Sequence, residues 1–131
     1  MFIGLGVDVV DISRARKLLS AYGDRILARV CTPAEAEYVR SHIDGSQHLA
    51  VRLAAKEATY KALAGSMDAR SIGWREIEVV AADGGPPGLA LHGRARERMA
   101  ALNAASALLS LSHSDLSAVA VVLIQGAVEA V

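Results

Sequence analysis

The sequence predicts an α+β fold, with helices packed on one face of a mainly antiparallel sheet. Three features carry that expectation: a β-branched, glycine-interrupted run at Phe2 to Val10, a long stretch rich in Ala, Leu, Lys and Glu at His48 to Ala64, and two apolar runs near the C terminus separated by His113-Ser114-Asp115. The long stretch reads as a central helix, and the two late runs read as an antiparallel pair.

Each element has a local reason. Phe2 to Val10 reads as a strand, followed by Asp11, Ile12 and Ser13, which offer caps for a helix running to about Ala21 and stopped by Gly23. Thr32-Pro33-Ala34-Glu35 combines a capping hydroxyl, proline at the first helical position and glutamate at the third, so a short helix runs from Pro33 to about Ser41. His42 to Gln47 reads as a loop, and the central helix then extends from His48 to Ala64, ending at Gly65. Trp74 to Ala82 reads as a strand, and Asp83-Gly84-Gly85-Pro86-Pro87-Gly88 forces a turn into a second short strand, Leu89 to His92. Arg94 to Leu102 reads as a charged surface helix, and Ala107 to Ser112 with Ala118 to Ile124 form the final pair. Strand order stays open.

Composition narrows the class. At 131 residues the chain suits one compact domain over 1–131, a size that buries roughly two thirds of its unfolded surface. The chain is 53% hydrophobic but only 4% aromatic, so aliphatic side chains build the core and oligomerisation is expected to cover excess apolar surface. A formal net charge of +0 argues against coating nucleic acid through bulk positive charge. The single cysteine, Cys31, excludes an intramolecular disulfide and a cysteine-rich zinc site, which fits a cytoplasmic setting. No run is long enough to span a bilayer, and Asp8 interrupts the apolar N terminus.

Three constellations carry chemistry. Glu57 and Lys61 lie one turn apart on the central helix, beside the stripe Leu49, Leu53, Tyr60 and Leu63 and near the small residues Ala50, Ala54 and Ala64. They read either as an exposed helix pair or as one wall of a site. Lys56 falls within the apolar stripe, where its ammonium needs an anion or a path to solvent. Asp8, between Val7 and Val9, needs a cation, a salt bridge or a helix to cap; with Glu57 it offers two oxygen ligands to one hard cation. Ser110-Leu111-Ser112-His113-Ser114 closes an apolar strand and offers groups for a phosphate or ribose oxygen. Ser112, His113 and Asp115 are too close along the chain for a hydrolase triad, and Gly4-Leu5-Gly6 lacks the third glycine of a dinucleotide loop. Arg14, Arg16 and Lys17 read as a solvated face or as a dock for an acidic protein.

Taken together, Gly4-Leu5-Gly6-Val7-Asp8-Val9-Val10, Arg52-Leu53-Ala54-Ala55-Lys56-Glu57-Ala58-Thr59-Tyr60-Lys61-Ala62 and Ser110-Leu111-Ser112-His113 resemble the holo-acyl-carrier-protein synthase family in order and spacing. The similarity extends to Thr32-Pro33-Ala34-Glu35, to Trp74-Arg75-Glu76-Ile77-Glu78-Val79 and to the final strands. It implies a 4′-phosphopantetheinyl transferase-like fold and transfer of a 4′-phosphopantetheine arm from coenzyme A to a serine of an acyl carrier protein. It also implies a magnesium ion on Asp8 and Glu57, with Glu57 and Lys61 as the catalytic pair and Lys61 on the coenzyme phosphates. Arg52, Lys56, Gly65, Ser112 and His113 are implied as coenzyme-pocket residues, and Arg14 as a contact to the acidic helix of the carrier. Homotrimers with sites between subunits are implied as well. Three positions depart from the family pattern: Leu53 replaces an aromatic residue, Met67 a glycine, and Pro86 a basic residue. Two rival readings remain, a noncatalytic module that binds coenzyme A or a nucleotide, and a structural oligomer whose ion pairs serve only subunit contacts.

Overall fold

The computed structural model describes residues 1–64 and 71–127, so Gly65 and Met67 lie outside the described residues. β1 (Phe2–Asp11) leads into α1 (Ile12–Tyr22), α2 (Asp24–Val30), α3 (Pro33–Arg40) and α4 (Ser46–Leu63). After a 3-10 turn at Trp74–Glu76 come β2 (Ile77–Val80), β3 (Gly88–Leu91), α5 (Gly93–Ala101), β4 (Ala104–His113) and β5 (Ser117–Gly126). The strands form two antiparallel sheets, one ordered β1-β5-β4 and the other pairing β2 with β3.

Period-two alternation sorts the residues of β1 into two faces. Gly4, Gly6, Asp8 and Val10 face α4, whereas Leu5, Val7 and Val9 stay exposed on the other side. The two glycines are required by how closely the helix approaches. A Cβ on Gly6 would stand 1.8 Å from the Ala58 carbonyl oxygen, and one on Gly4 2.2 Å from that of Ala62. The partners are backbone atoms of a helix and cannot step aside.

On the helix, Ala50, Ala54, Ala58 and Ala62 recur every fourth residue and all are buried, which puts the flattest face of α4 against the sheet. The small residues Ala50 and Ala54 therefore serve strand packing, not the approach of a ligand. Ala118, Ala120, Val122 and Ile124 of β5 are fully buried beneath the same helix. The opposite side of α4 is also covered, burying Leu49, Val51, Arg52, Leu53 and Lys56, so the helix has no solvated half. Its apolar stripe, legible in sequence, belongs to an element buried on most sides, with Lys61 and the partly exposed Glu57 and Tyr60 along its open edge.

Several boundaries differ from expectation for identifiable reasons. α2 is a helix of seven residues that starts from Gly23, without a capping side chain, and so carries no sequence signal. α4 begins two residues early because the Asp44 carboxylate accepts the Ser46 amide at 3.0 Å. Trp74 opens a helical turn, not a strand, and His113 completes β4 instead of separating the final pair. The capping box is present as predicted, Thr32 Oγ1 accepting the Glu35 amide at 3.3 Å and Glu35 Oε1 accepting the Thr32 amide at 3.0 Å.

Gly6→Ala is expected to destabilise the protein by about 3 kcal/mol, the upper range for forced overpacking. Gly88→Ala, where a Cβ meets nothing within 4 Å, is expected to change stability by less than about 0.5 kcal/mol. Urea denaturation of both variants checks the contrast, and equal effects would contradict it.

Candidate active site

Parity on β1 and rotation on α4 together build one wall of the site. Asp8 occupies the helix-facing side two residues beyond Gly6, where the strand has just been clamped to Ala58. Leu53, Glu57 and Lys61 follow one another every fourth residue along the adjacent edge of α4. All four side chains line an open groove of about 820 Å³, whose other side is formed by α1 and α2 through Arg14, Leu18, Arg25 and Arg29, with Trp74 at one margin.

The charges in this groove are unevenly satisfied. Lys61 Nζ donates to Asp8 Oδ1 at 3.0 Å and to the Val7 carbonyl at 3.1 Å, which leaves one of its three protons without a partner among the described residues. Its side chain is 51% exposed and that of Asp8 only 18%. Asp8 does not cap α1, whose N-terminal cap position is Asp11. Glu57 makes no hydrogen bond or ion pair among the described residues. An unpaired carboxylate and a half-buried one therefore share a groove with one partly committed ammonium and three guanidinium groups.

Magnesium usually takes one or two carboxylates, with water and substrate phosphate completing its shell. Asp8 and Glu57 supply that donor set. Among the described residues there is no cluster of three or more His, Cys, Asp or Glu suited to a metal held by protein alone. Two carboxylates lining one groove are donor types that suit a divalent ion whose remaining shell is water and phosphate.

Lys56 and Arg52 do not line this groove. Lys56 Nζ donates to Glu35 Oε1 at 2.7 Å, to the Trp74 carbonyl at 3.0 Å and to the Ile77 carbonyl, so all three protons are spent inside the protein. Burial pulls its pKa below the ordinary lysine range, while Glu35 opposes that shift. Arg52 donates to the His48 carbonyl at 3.1 Å and stacks 4.5 Å from the Tyr38 ring centroid. Its pKa is likewise lowered by burial, against the opposing pull of Glu35. Cys31 lies in the same buried cluster, its thiol pushed up to about 11 by burial and by Glu35, which keeps it protonated.

Ser112 and His113 lie apart from Asp8 within one chain. His113 pairs with Ala118 in β5, as does Val10 from the far side, so β5 separates His113 from β1. His113 Nε2 hydrogen-bonds Gln47 Nε2 at 2.9 Å. Ser110 and Ser112 point to the outer face, in cross-strand rows with Val121 and Val7, and with Val119 and Val9. Of the basic cluster, Arg14 lines the groove, whereas Arg16 pairs with Asp44 at 3.3 Å and neither it nor Lys17 lines the groove; Arg25 and Arg29 sit on α2, which carries no local sequence signal. Pro86 lies exposed in the turn between β2 and β3, and Leu53 is buried at the groove wall.

A family model, the 4′-phosphopantetheinyl transferase superfamily, matches residues 4–118. A holo-(acyl-carrier-protein) synthase of Koribacter versatilis is 37% identical over 125 residues, covering 95% of this chain and 99% of that protein. One from Trichlorobacter lovleyi is 43% identical over 125 residues, covering 95% and 98%. Among solved structures, a holo-(acyl-carrier-protein) synthase from Bacillus anthracis in complex with CoA (3′,5′-ADP) superposes with a TM-score of 0.78 at 28% identity, covering 97% of this chain and 99% of that one.

Proposed function

The chain belongs to the holo-acyl-carrier-protein synthase family of the 4′-phosphopantetheinyl transferase superfamily, and from that premise we infer how its groove works. The protein transfers 4′-phosphopantetheine from coenzyme A to a serine of an apo acyl carrier protein. The serine oxygen forms a bond to the β-phosphorus as the bond to the bridging oxygen breaks, and adenosine 3′,5′-bisphosphate leaves. The observation that carries this reading is the unpaired Glu57 carboxylate beside Asp8 and Lys61 in one open groove.

Asp8 and Glu57 would hold the magnesium ion, which when bound supplies positive charge that stabilises phosphate oxygens. Lys61, tethered to Asp8 and the Val7 carbonyl, keeps its remaining proton for a phosphate oxygen and offsets charge that grows in the transition state. Trp74 and Leu53 add apolar surface to the groove's lining. The guanidinium groups of Arg14, Arg25 and Arg29 face the same opening and suit the acidic surface of a carrier.

The apolar outer sheet face supports a homotrimer. Leu5, Val7 and Val9 are 58%, 52% and 58% exposed, and Leu108 and Val121 continue the patch onto β4 and β5. Ser110 and Ser112 sit within it, so burial against another copy would bring the histidine-bearing end of β4 toward a neighbour's groove. The same proposal includes a cytoplasmic setting, consistent with the single buried thiol; among the described residues no helix is long and apolar enough to cross a membrane.

Incubating the protein with apo carrier, coenzyme A and magnesium, then weighing the carrier, is expected to show the gain of one phosphopantetheine arm. Coenzyme binding without that gain would contradict transfer and favour a noncatalytic module. Asp8→Asn and Glu57→Gln are each expected to lower the transfer rate by roughly a hundredfold or more, the scale of about 3 kcal/mol of lost transition-state stabilisation. Their thermal unfolding should match the parent, and near-parental transfer by either would count against the metal site.

Raising ionic strength toward about 1 M, where screening acts within about 3 Å, is expected to raise the carrier KM. Arg25→Glu should raise it at low salt as well. A carrier KM insensitive to both would remove the arginine dock. Sedimentation should give a particle of three chains, and Val121→Lys a smaller species that no longer transfers; an active monomer would refute the shared site.

A further inference from the structure

The most deeply buried ionic contact among the described residues lies outside the groove. Lys56 and Glu35 side chains are 1% and 0% exposed and 2.7 Å apart. Removing both charges from water is costly before their attraction is counted, and apolar pairs of similar volume often serve stability equally well. The atoms these two groups hold suggest a different role.

Lys56 reaches the carbonyls of Trp74 and Ile77, which bracket the 3-10 turn. Glu35 Oε2 accepts the Val79 amide at 3.1 Å, and its Oε1 accepts both Lys56 and the Thr32 amide. One carboxylate and one ammonium therefore join the start of α3, the middle of α4, the Trp74 turn and β2. Trp74 borders the large groove and also a smaller recess of about 240 Å³, lined by Lys56, Glu57, Tyr60, Ile72 and Ile77. Glu57 borders both cavities, and it directly follows Lys56 in the helix.

We propose that the Glu35–Lys56 pair is a positioning device for the transfer site, holding the Trp74 turn against α4 so that Trp74 and Glu57 keep a fixed separation across the coenzyme-facing wall. Neither residue lines the groove. It sets the backbone height of Trp74 through two carbonyls and the rotation of α4 through Lys56 itself. Lys61, only five residues further on, is half exposed and lies in the groove, so the two lysines of this helix divide the work by the faces they occupy. This inference rests on the transfer reading and goes beyond it by assigning a task to residues remote from the chemistry.

Trp74 is the chain's single tryptophan, so intrinsic fluorescence reports its surroundings without a label. In Glu35→Leu/Lys56→Met, Trp74 emission is expected to shift, and the KM for coenzyme A to rise about tenfold or more, the scale set by sub-ångström to 1 Å misplacement of a binding wall. The carrier KM should rise less than that for coenzyme A, because α2 packs on the Trp74 turn but Arg14, Arg25 and Arg29 make no hydrogen bond or ion pair with Glu35 or Lys56 among the described residues. A purely structural pair would lower the amount of active enzyme and leave both KM values and the Trp74 emission of the folded fraction unchanged; that result overturns the proposal. If the double variant does not fold, Glu35→Gln, which keeps an acceptor for Lys56 and the Thr32 amide but loses the one facing Val79, is judged by the same criteria. A parent protein that binds coenzyme A but never modifies the carrier defeats the transfer reading and this inference together, whereas parental transfer with an unaffected variant defeats this inference alone.

Discussion

The backbone contact between β1 and α4 is the constraint on which the rest of the structure depends. Two helix carbonyls stand where the Cβ atoms of Gly4 and Gly6 would be, so no other residue type permits the strand and helix to lie this close. Once they do, alternation fixes the direction of Asp8, and the helical repeat fixes the edge bearing Leu53, Glu57 and Lys61. The placement of the groove's two carboxylates follows from a steric fact. A strand register shifted by one residue would turn Asp8 to the outer face and bury Val7 or Val9 in its place.

The ionisable groups of α4 show how one helix separates structural from chemical work. Lys56 faces the interior and is satisfied by a carboxylate and two carbonyls. Lys61 faces the groove and retains a donor for a ligand. Glu57, between them, has no protein partner among the described residues, an arrangement that favours a positively charged visitor. The fields of three arginines across the groove would repel a free cation but attract a polyanion carrying one. This fits a metal delivered together with phosphate.

Much of this was legible in the sequence because it rests on local rules. The capping box at Thr32 and Glu35, the hairpin turn and the long helix each appeared close to their predicted positions. Asp8 and Glu57 stood out because a carboxylate in an apolar strand and one on a helix flanked by alanines both require explanation. What the sequence concealed depends on distance in space. Helical position put Lys56 within the apolar stripe and Lys61 beside it, but nothing local names the three partners that hold the Lys56 ammonium inside the protein, nor reveals that Glu35 has a second task beyond capping. The division into two sheets and the seven-residue α2, with its two groove arginines, are likewise products of packing. The alternating glycines were visible as a pattern, yet their meaning required knowing which helix crosses them. Ser112 and His113 were legible as polar groups ending a strand, but a single chain keeps them away from Asp8.

The central claim is that strand and helix converge to place two carboxylates around one divalent ion. Crystals grown with coenzyme A and manganese in place of magnesium test it most directly, because manganese scatters anomalously while keeping oxygen ligands. The account predicts an anomalous peak bonded to an oxygen of Asp8, an oxygen of Glu57 and the coenzyme pyrophosphate. A peak bound to the coenzyme alone, or ordered coenzyme with no peak between those two side chains, would contradict it.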